Sequence, residues 1–182
     1  MGSAKAALRL ADGRTFVAAI VEALVSSGEV GNVVVVTGTH HEEIVSALGP
    51  APGTRIVRNP DPSRGQLSSL WVGMDAVVGP QTEALLMTLV DVPNIRPATV
   101  NAVVRAWRVA RAPIVRPAIG SRHGHPVLFD RAVFEELRVA PVEGGAKAVV
   151  RAHARDLIDV PVSDEGCLTD IDTPEEYRRS LS

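Results

Sequence analysis

The sequence predicts an α/β fold: a three-layer, Rossmann-like arrangement with helices on both faces of a mostly parallel sheet. Three observations carry this expectation. Two apolar runs, Val33-Val34-Val35-Val36-Thr37 and Glu83 to Val90, have the unbroken aliphatic character of strands buried on both faces. Segments with helical spacing separate the extended runs along most of the chain. At 182 residues the chain suits one domain, residues 1–182, able to bury roughly 70% of its unfolded surface.

Each element has a local reason. Asp12-Gly13 marks a turn, and Thr15 can cap a helix in which Phe16, Ile20 and Leu24 recur every four residues until Gly28. The run at 33–37 is the first strand, a helix covers His41 to Leu48, and Arg55 to Arg58 forms a short strand. A loop with Pro60, Pro62 and Gly65 precedes a helix from Gln66 to Val78, and Glu83 to Val90 is the next strand. Pro97, allowed in a first helical turn, opens a helix to Ala110. Pro113 to Ile119 is extended, and Pro126 to Phe129 is short and apolar. Helices over 131–138 and 146–154, a strand at 157–162 and a last helix from Pro174 complete the chain.

Composition excludes several function classes. A formal charge of −2 gives no bulk attraction to nucleic acid or to an anionic membrane. Aromatic content of 3% leaves few platforms for stacking single-stranded bases. Cys167 is the sole cysteine, which rules out an intrachain disulfide and fits the reducing cytoplasm. No apolar stretch approaches the ~20 residues of a membrane span, and Asp12 interrupts the N-terminal region where a secretory signal would need an apolar segment.

The candidate chemistry centres on carboxylates. Asp91 ends the apolar run 84–90, which puts it at the C-terminal rim of the sheet, where open α/β folds bind ligands. Asp172, in Asp170-Ile171-Asp172-Thr173-Pro174-Glu175-Glu176-Tyr177, can supply a second acidic group. Two carboxylates side by side suit Mg²⁺ held partly by substrate phosphates. Taken alone, each also reads as a turn former or helix cap. The stretch Asn59 to Ser69 leads through Arg64-Gly65-Gln66 into a helix whose first turn carries Ser68 and Ser69. Free N–H groups there favour an anion or a polar base edge, and an ordinary capped helix is the plain alternative. Gly124, between His123 and His125, is expected to let backbone approach a ligand. His40-His41 reads as solvated, Cys167 as unreactive and Lys147 as a surface lysine, with a phosphate contact as its alternative. Neither G-x-x-x-x-G-K-S/T nor G-x-G-x-x-G after a strand occurs, which argues against a P-loop protein and a dinucleotide oxidoreductase.

Together these segments resemble the MobA-like nucleotidyltransferases, closest to the molybdenum cofactor cytidylyltransferase branch, across essentially the whole chain. The most specific matches are the 170–177 segment above and Gly124-His125-Pro126-Val127-Leu128-Phe129. Asn59-Pro60 with Gly65 and Ser68-Ser69, then Leu89-Val90-Asp91-Val92-Pro93, fall in the family's order. The resemblance implies transfer of a nucleoside monophosphate from an NTP, with CTP favoured, to a small phosphorylated acceptor of molybdopterin type, releasing pyrophosphate. It assigns Asp91 and Asp172 to Mg²⁺, Lys5 to the triphosphate, Asn59, Gly65 and Ser68 to the base and ribose, and His125 to the acceptor side. The family opens with a buried strand and the loop Leu-Ala-Ala-Gly-x-Ser-x-Arg-Met-Gly-x-x-Lys, of which only Met1-Gly2-Ser3-Ala4-Lys5 has a counterpart here. The first strand is therefore expected to be missing from the sheet, with poor activity and self-association through the exposed edge. Val92 replaces the family's usual Gln, and Gly144-Gly145 stands where many members carry an Asp. Two alternatives remain beside the transferase: a catalytically degenerate nucleotide-binding or regulatory module, and an oxidoreductase on the same scaffold.

Overall fold

A computed structural model describes residues 4–181, so the Met1-Gly2-Ser3 part of the family match lies outside the described residues. Thr15 caps α1 (Phe16–Ser26) by accepting from the Ala18 N–H. Then come β1 (Val33–Thr37), α2 (His41–Leu48), β2 (Thr54–Arg58), α3 (Gln66–Val77) and β3 (Ala84–Met87). The second half runs α4 (Pro97–Ala110), β4 (Ile114–Ile119), β5 (Arg122–His123), β6 (Val127–Asp130), α5 (Phe134–Val139), α6 (Ala146–Ala152), β7 (Ile158–Pro161) and α7 (Pro174–Ser180). Pro97 and Pro174 occupy first-turn positions, and Thr173 with Glu176 forms a capping box at α7.

The strands form two ladders. β1 and β2 pair in parallel. The other ladder runs β3-β6-β4-β5, with β7 parallel to β4. β6 is antiparallel to both β3 and β4, so those two strands share a direction. α3 starts beside the C-terminal end of β2, where Asn59 bonds to Ser68 and Ser69, and finishes where Arg55 near the start of β2 donates to the Ala76 carbonyl (3.1 Å). The chain thus returns to the starting end before β3, which sets off in the sense of β1. Five strands agree in direction, and the two reversed ones are β5 and β6, as suits a mixed α/β sheet.

Two apolar clusters cover the opposite faces. One packs α1 and α4 against Val35, Ala84, Leu86 and Leu128; the other packs α3, α5 and α6 against Leu85, Met87, Val127 and Phe129. The alternation of Ala84, Leu85, Leu86 and Met87 between clusters is the period-two pattern of a strand within a three-layer fold.

Two expectations need correction. The strand read as Glu83 to Val90 ends at Met87, because β6 offers partners only over Val127–Asp130 and the chain turns at Leu89, whose carbonyl accepts from the Val92 N–H. The β-branched run of β1 is not buried throughout: Val34, Val35 and Val36 are half-buried. The cause agrees with the expected gap in the sheet: β1 and β3 do not pair, and a slot of about 960 Å³ lies between them where the resemblance places a first strand.

Candidate functional site

Asp91 sits just past β3, at the C-terminal rim, and the 170–172 segment is tied directly to it. The Ile171 N–H donates to the Asp91 carbonyl (2.8 Å), and the Ile171 side chain is buried against Phe16. With Ile171 pointing inward, its neighbours Asp170 and Asp172 are both exposed. Asp172 is held further by Glu176, whose carboxylate accepts from the Asp172 and Thr173 N–H groups (2.9 and 2.8 Å). Lys5 reaches this place from the other end of the chain, and its ammonium donates to Asp172 Oδ1 at 2.6 Å. The Ala4 N–H donates to the Glu43 carboxylate, which anchors the turn that carries Lys5.

Asp91 is the strained member. Its Oδ1 is buried and has no hydrogen-bond partner. Burial pushes its carboxyl above the usual range, and the negative charges of Asp170 and Asp172 add to that while Lys5 opposes it. His125 moves the opposite way. Burial holds its imidazole below the ordinary value, with Asp170 and Asp91 pulling upward and Lys147 pushing down. Its Nδ1 lies 3.5 Å from the Met87 carbonyl oxygen. Asp91 therefore lies within electrostatic reach of Lys5, Asp170 and Asp172, and His125 within reach of Asp91, Asp170 and Lys147.

These shifts give opposite pH dependences. The raised Asp91 contributes stability that is full below its unfolded value near 3.8 and is lost as pH rises through its folded value. The depressed His125 contributes stability that is present above about 6.5 and is lost as pH falls through its folded value. Urea unfolding of His125→Gln should therefore lose less stability than the parent as pH falls below 6.5. Equal acid sensitivity of the two proteins would show that His125 does not sense this environment.

The donor set suits a hard divalent cation. A buried carboxylate oxygen without a partner, beside two further carboxylates, is relieved by positive charge and offers only oxygen ligands. Among the described residues no three His, Cys, Asp or Glu side chains converge as a complete metal cage.

The loop after β2 plays a different part from the one expected of its side chains. Asn59 and Ser68 are buried. Asn59 Nδ2 donates to Ser68 Oγ (2.9 Å) and Ser69 Oγ (3.0 Å), and its Oδ1 accepts from the Asp61 N–H. Ser68 Oγ donates to the Gly65 carbonyl (2.7 Å). Their polar groups are thus occupied in bracing the loop. Gly65 is exposed at φ +84°, a conformation that favours glycine, and no side chain caps α3 behind it. The loop offers a ligand backbone and helix N-terminus.

Gly124 does not open a path to a ligand. A Cβ there would sit 1.9 Å from the Cys167 carbonyl oxygen, so the glycine exists for close packing of backbone on backbone. His41 is not simply solvated, since its Nδ1 lies 2.7 Å from Thr37 Oγ1. Cys167 is inert as expected, because burial and Asp164 push its thiol up to about 11. Val92, the departure from the family's Gln, is fully buried in the α1/α4 cluster. Sequence reasoning passed over Asp170 as a site group and favoured a plain surface lysine over a phosphate contact for Lys147. The spacing of Asp170 and Asp172 carried a signal, since residues two apart on extended chain face one way; nothing local marked Lys147.

Residues 1–157 match the family model described as the MobA-like NTP transferase domain. The chain is 24% identical over 146 residues to the molybdenum cofactor cytidylyltransferase of Escherichia coli (strain K12), which covers 80% of this chain and 71% of that protein. Among solved structures it resembles Rv0371c from Mycobacterium tuberculosis H37Rv, with a TM-score of 0.81 and 28% identity over 100% of this chain and 90% of that one. The manganese complex of Rv0371c gives a TM-score of 0.75 and 26% identity over 99% of this chain and 92% of that one.

Proposed function

Since the chain belongs to the MobA-like NTP transferase family, we propose that it transfers CMP from CTP to the phosphate of a small molybdopterin-type acceptor, with release of pyrophosphate. The observation that carries this reading is the buried, partnerless Oδ1 of Asp91 beside the Lys5–Asp172 pair. The cytidylyltransferase relative supports CTP, and the relative crystallised with manganese supports a divalent ion, for which we favour Mg²⁺ in the cytoplasm.

In this reading residues 1–182 form one nucleotidyltransferase domain. An acceptor phosphate oxygen attacks the α-phosphorus of CTP, the bond from that phosphorus to the bridging oxygen breaks, and pyrophosphate leaves with the electron pair. Asp91 and Asp172 would hold a divalent ion, which when bound would supply positive charge against the triphosphate. Lys5, already poised at the rim, turns from Asp172 to the triphosphate. Behind Gly65, whose own N–H donates to the Pro62 carbonyl, the first turn of α3 presents N–H groups to the base and ribose, and Asn59 and Ser68 keep that loop in place. His125, held neutral by burial, donates or accepts one hydrogen bond to orient the acceptor without adding charge.

Calorimetry with each NTP, with and without Mg²⁺, tests this. CTP should bind only with the ion present and more tightly than ATP. Tight, metal-independent binding of a dinucleotide would replace this reading with an oxidoreductase. A degenerate binding module would instead show metal-dependent CTP binding with no pyrophosphate release even when acceptor is supplied.

A further inference from the structure

We propose that Tyr177 is a positioning residue: its hydroxyl clamps the segment that carries Lys5 to the helix that follows Asp172, and so sets the Lys5–Asp172 pair before substrate arrives. The inference rests on the reading of that pair as part of the triphosphate site.

The segment after Lys5 is a small hairpin in which Arg9 stands opposite Thr15. The Leu10 N–H donates to the Arg14 carbonyl (2.8 Å), and the Phe16 N–H donates to the Leu8 carbonyl (2.9 Å). Successive residues of an extended arm send their backbone groups to opposite sides, so Arg9 turns its N–H and C=O away from the hairpin. Tyr177 takes both. Its hydroxyl donates to the Arg9 carbonyl (2.8 Å) and accepts from the Arg9 N–H (3.3 Å), as a neighbouring strand would.

The ring of Tyr177 meets Phe16 edge-on, with centroids 5.9 Å apart, against the cluster of Leu10, Phe16, Ala19 and Ile171. Ile171 sits between Asp170 and Asp172, so the ring and the carboxylate segment share one apolar anchor. Two adjacent residues of α7 thereby fix both partners of the pair. Glu176 accepts from the Asp172 N–H, and Tyr177 holds the arm that leads back to Lys5. That arm is short and stiff. The Leu8 N–H donates to the Lys5 carbonyl (3.1 Å) and the Ala7 N–H to the Ala4 carbonyl (2.9 Å), so a shift at Arg9 is carried to Lys5. The ring docks α7 on the cluster; the hydroxyl adds the tie to Arg9.

Tyr177→Phe in the 182-residue chain keeps the ring and removes the tie. Lys5 and Lys147 are the two lysines of the sequence, so Lys147 serves as an internal reference for labelling. Brief acetylation with N-hydroxysuccinimidyl acetate, read by peptide mass spectrometry, should give a Lys5-to-Lys147 ratio about threefold or more above the parent, the scale of one lost hydrogen bond. Asp172→Asn, which frees Lys5 directly, should raise the ratio as well. Calorimetry should show a similar loss of affinity for CTP with Mg²⁺, and no further loss when Lys5→Met is already present. An unchanged labelling ratio overturns the proposal. So does an equal loss of CTP affinity in the Lys5→Met background, which gives Tyr177 a role that does not pass through Lys5. A parent chain that binds no CTP removes the nucleotide reading, and the labelling ratio then decides the clamp by itself.

Discussion

Asp91→Asn is expected to lower pyrophosphate release by roughly 10²-fold or more, the loss seen when one electrostatic stabiliser of a transition state is removed. That factor corresponds to about 2.7 kcal/mol. The substitution keeps the shape of the side chain and removes its charge. In the free protein this relieves a cost, because Asp91 is held above its usual range by burial and by Asp170 and Asp172. The Asp91→Asn protein, free of metal, should therefore be as stable as the parent or more so in urea at neutral pH. A residue with a purely structural role would lose stability instead. Mg²⁺-dependent CTP affinity should fall with turnover, since the variant gives up one of the carboxylates assigned to the ion. The same change at Asp159, which pairs with Arg116 beside the β4–β7 ladder, should alter neither. Matching losses at Asp91 and Asp159 would mean that the site is misplaced.

The legible parts of the fold were those with a local cause. Thr15 and Thr173 accept from the N–H three residues on, and Pro97 and Pro174 sit where a helix lacks a donor requirement. Such signals depend on a few adjacent residues, and helices starting at Phe16, Pro97 and Pro174 follow from them. Arg122–His123 is two residues long, too short for any periodicity to mark it as a strand. Ends of strands are set by partners, so the run through Val90 gave no hint that β6 would stop supporting β3 at Met87. The site divides in the same way. Asp91 could be placed at a sheet rim because its strand could be read. Its meeting with Asp172 depends on the Ile171–Asp91 backbone bond across about 80 residues of chain, which no spacing rule reaches; the family resemblance supplied that pairing. The approach of Lys147 to His125 is equally non-local, and a lone exposed lysine after Gly144-Gly145 carried no mark of it.

The same non-local logic makes Gly124→Ala the substitution with the largest expected effect on stability. A Cβ at this position would lie 1.9 Å from the Cys167 carbonyl oxygen, 2.7 Å from its carbon and 2.9 Å from Leu168 Cδ2. The first two are backbone atoms, so no side-chain rotation relieves the overlap. Nor can the loop slide away freely. The Gly124 N–H donates to the Pro117 carbonyl (3.0 Å), and the His125 N–H donates to that same Cys167 carbonyl (2.9 Å). Moving either segment breaks one of these bonds, at about 1 kcal/mol each, on top of the roughly 1–3 kcal/mol of ordinary overpacking. A loss of about 3 kcal/mol or more is expected in urea unfolding, a large share of the roughly 5–15 kcal/mol of a typical domain. Gly79→Ala is the matched control, since nothing lies within 4 Å of its added methyl. The functional consequence is selective where Gly124→Ala still folds. His125 and the 166–168 turn must part, which displaces the residue assigned to the acceptor while leaving Asp91 and its backbone tie to Ile171 in place. Mg²⁺-dependent CTP binding should therefore survive with acceptor-dependent turnover lost. A Gly124→Ala protein as stable as Gly79→Ala would show that the contact with Cys167 is not what fixes this loop.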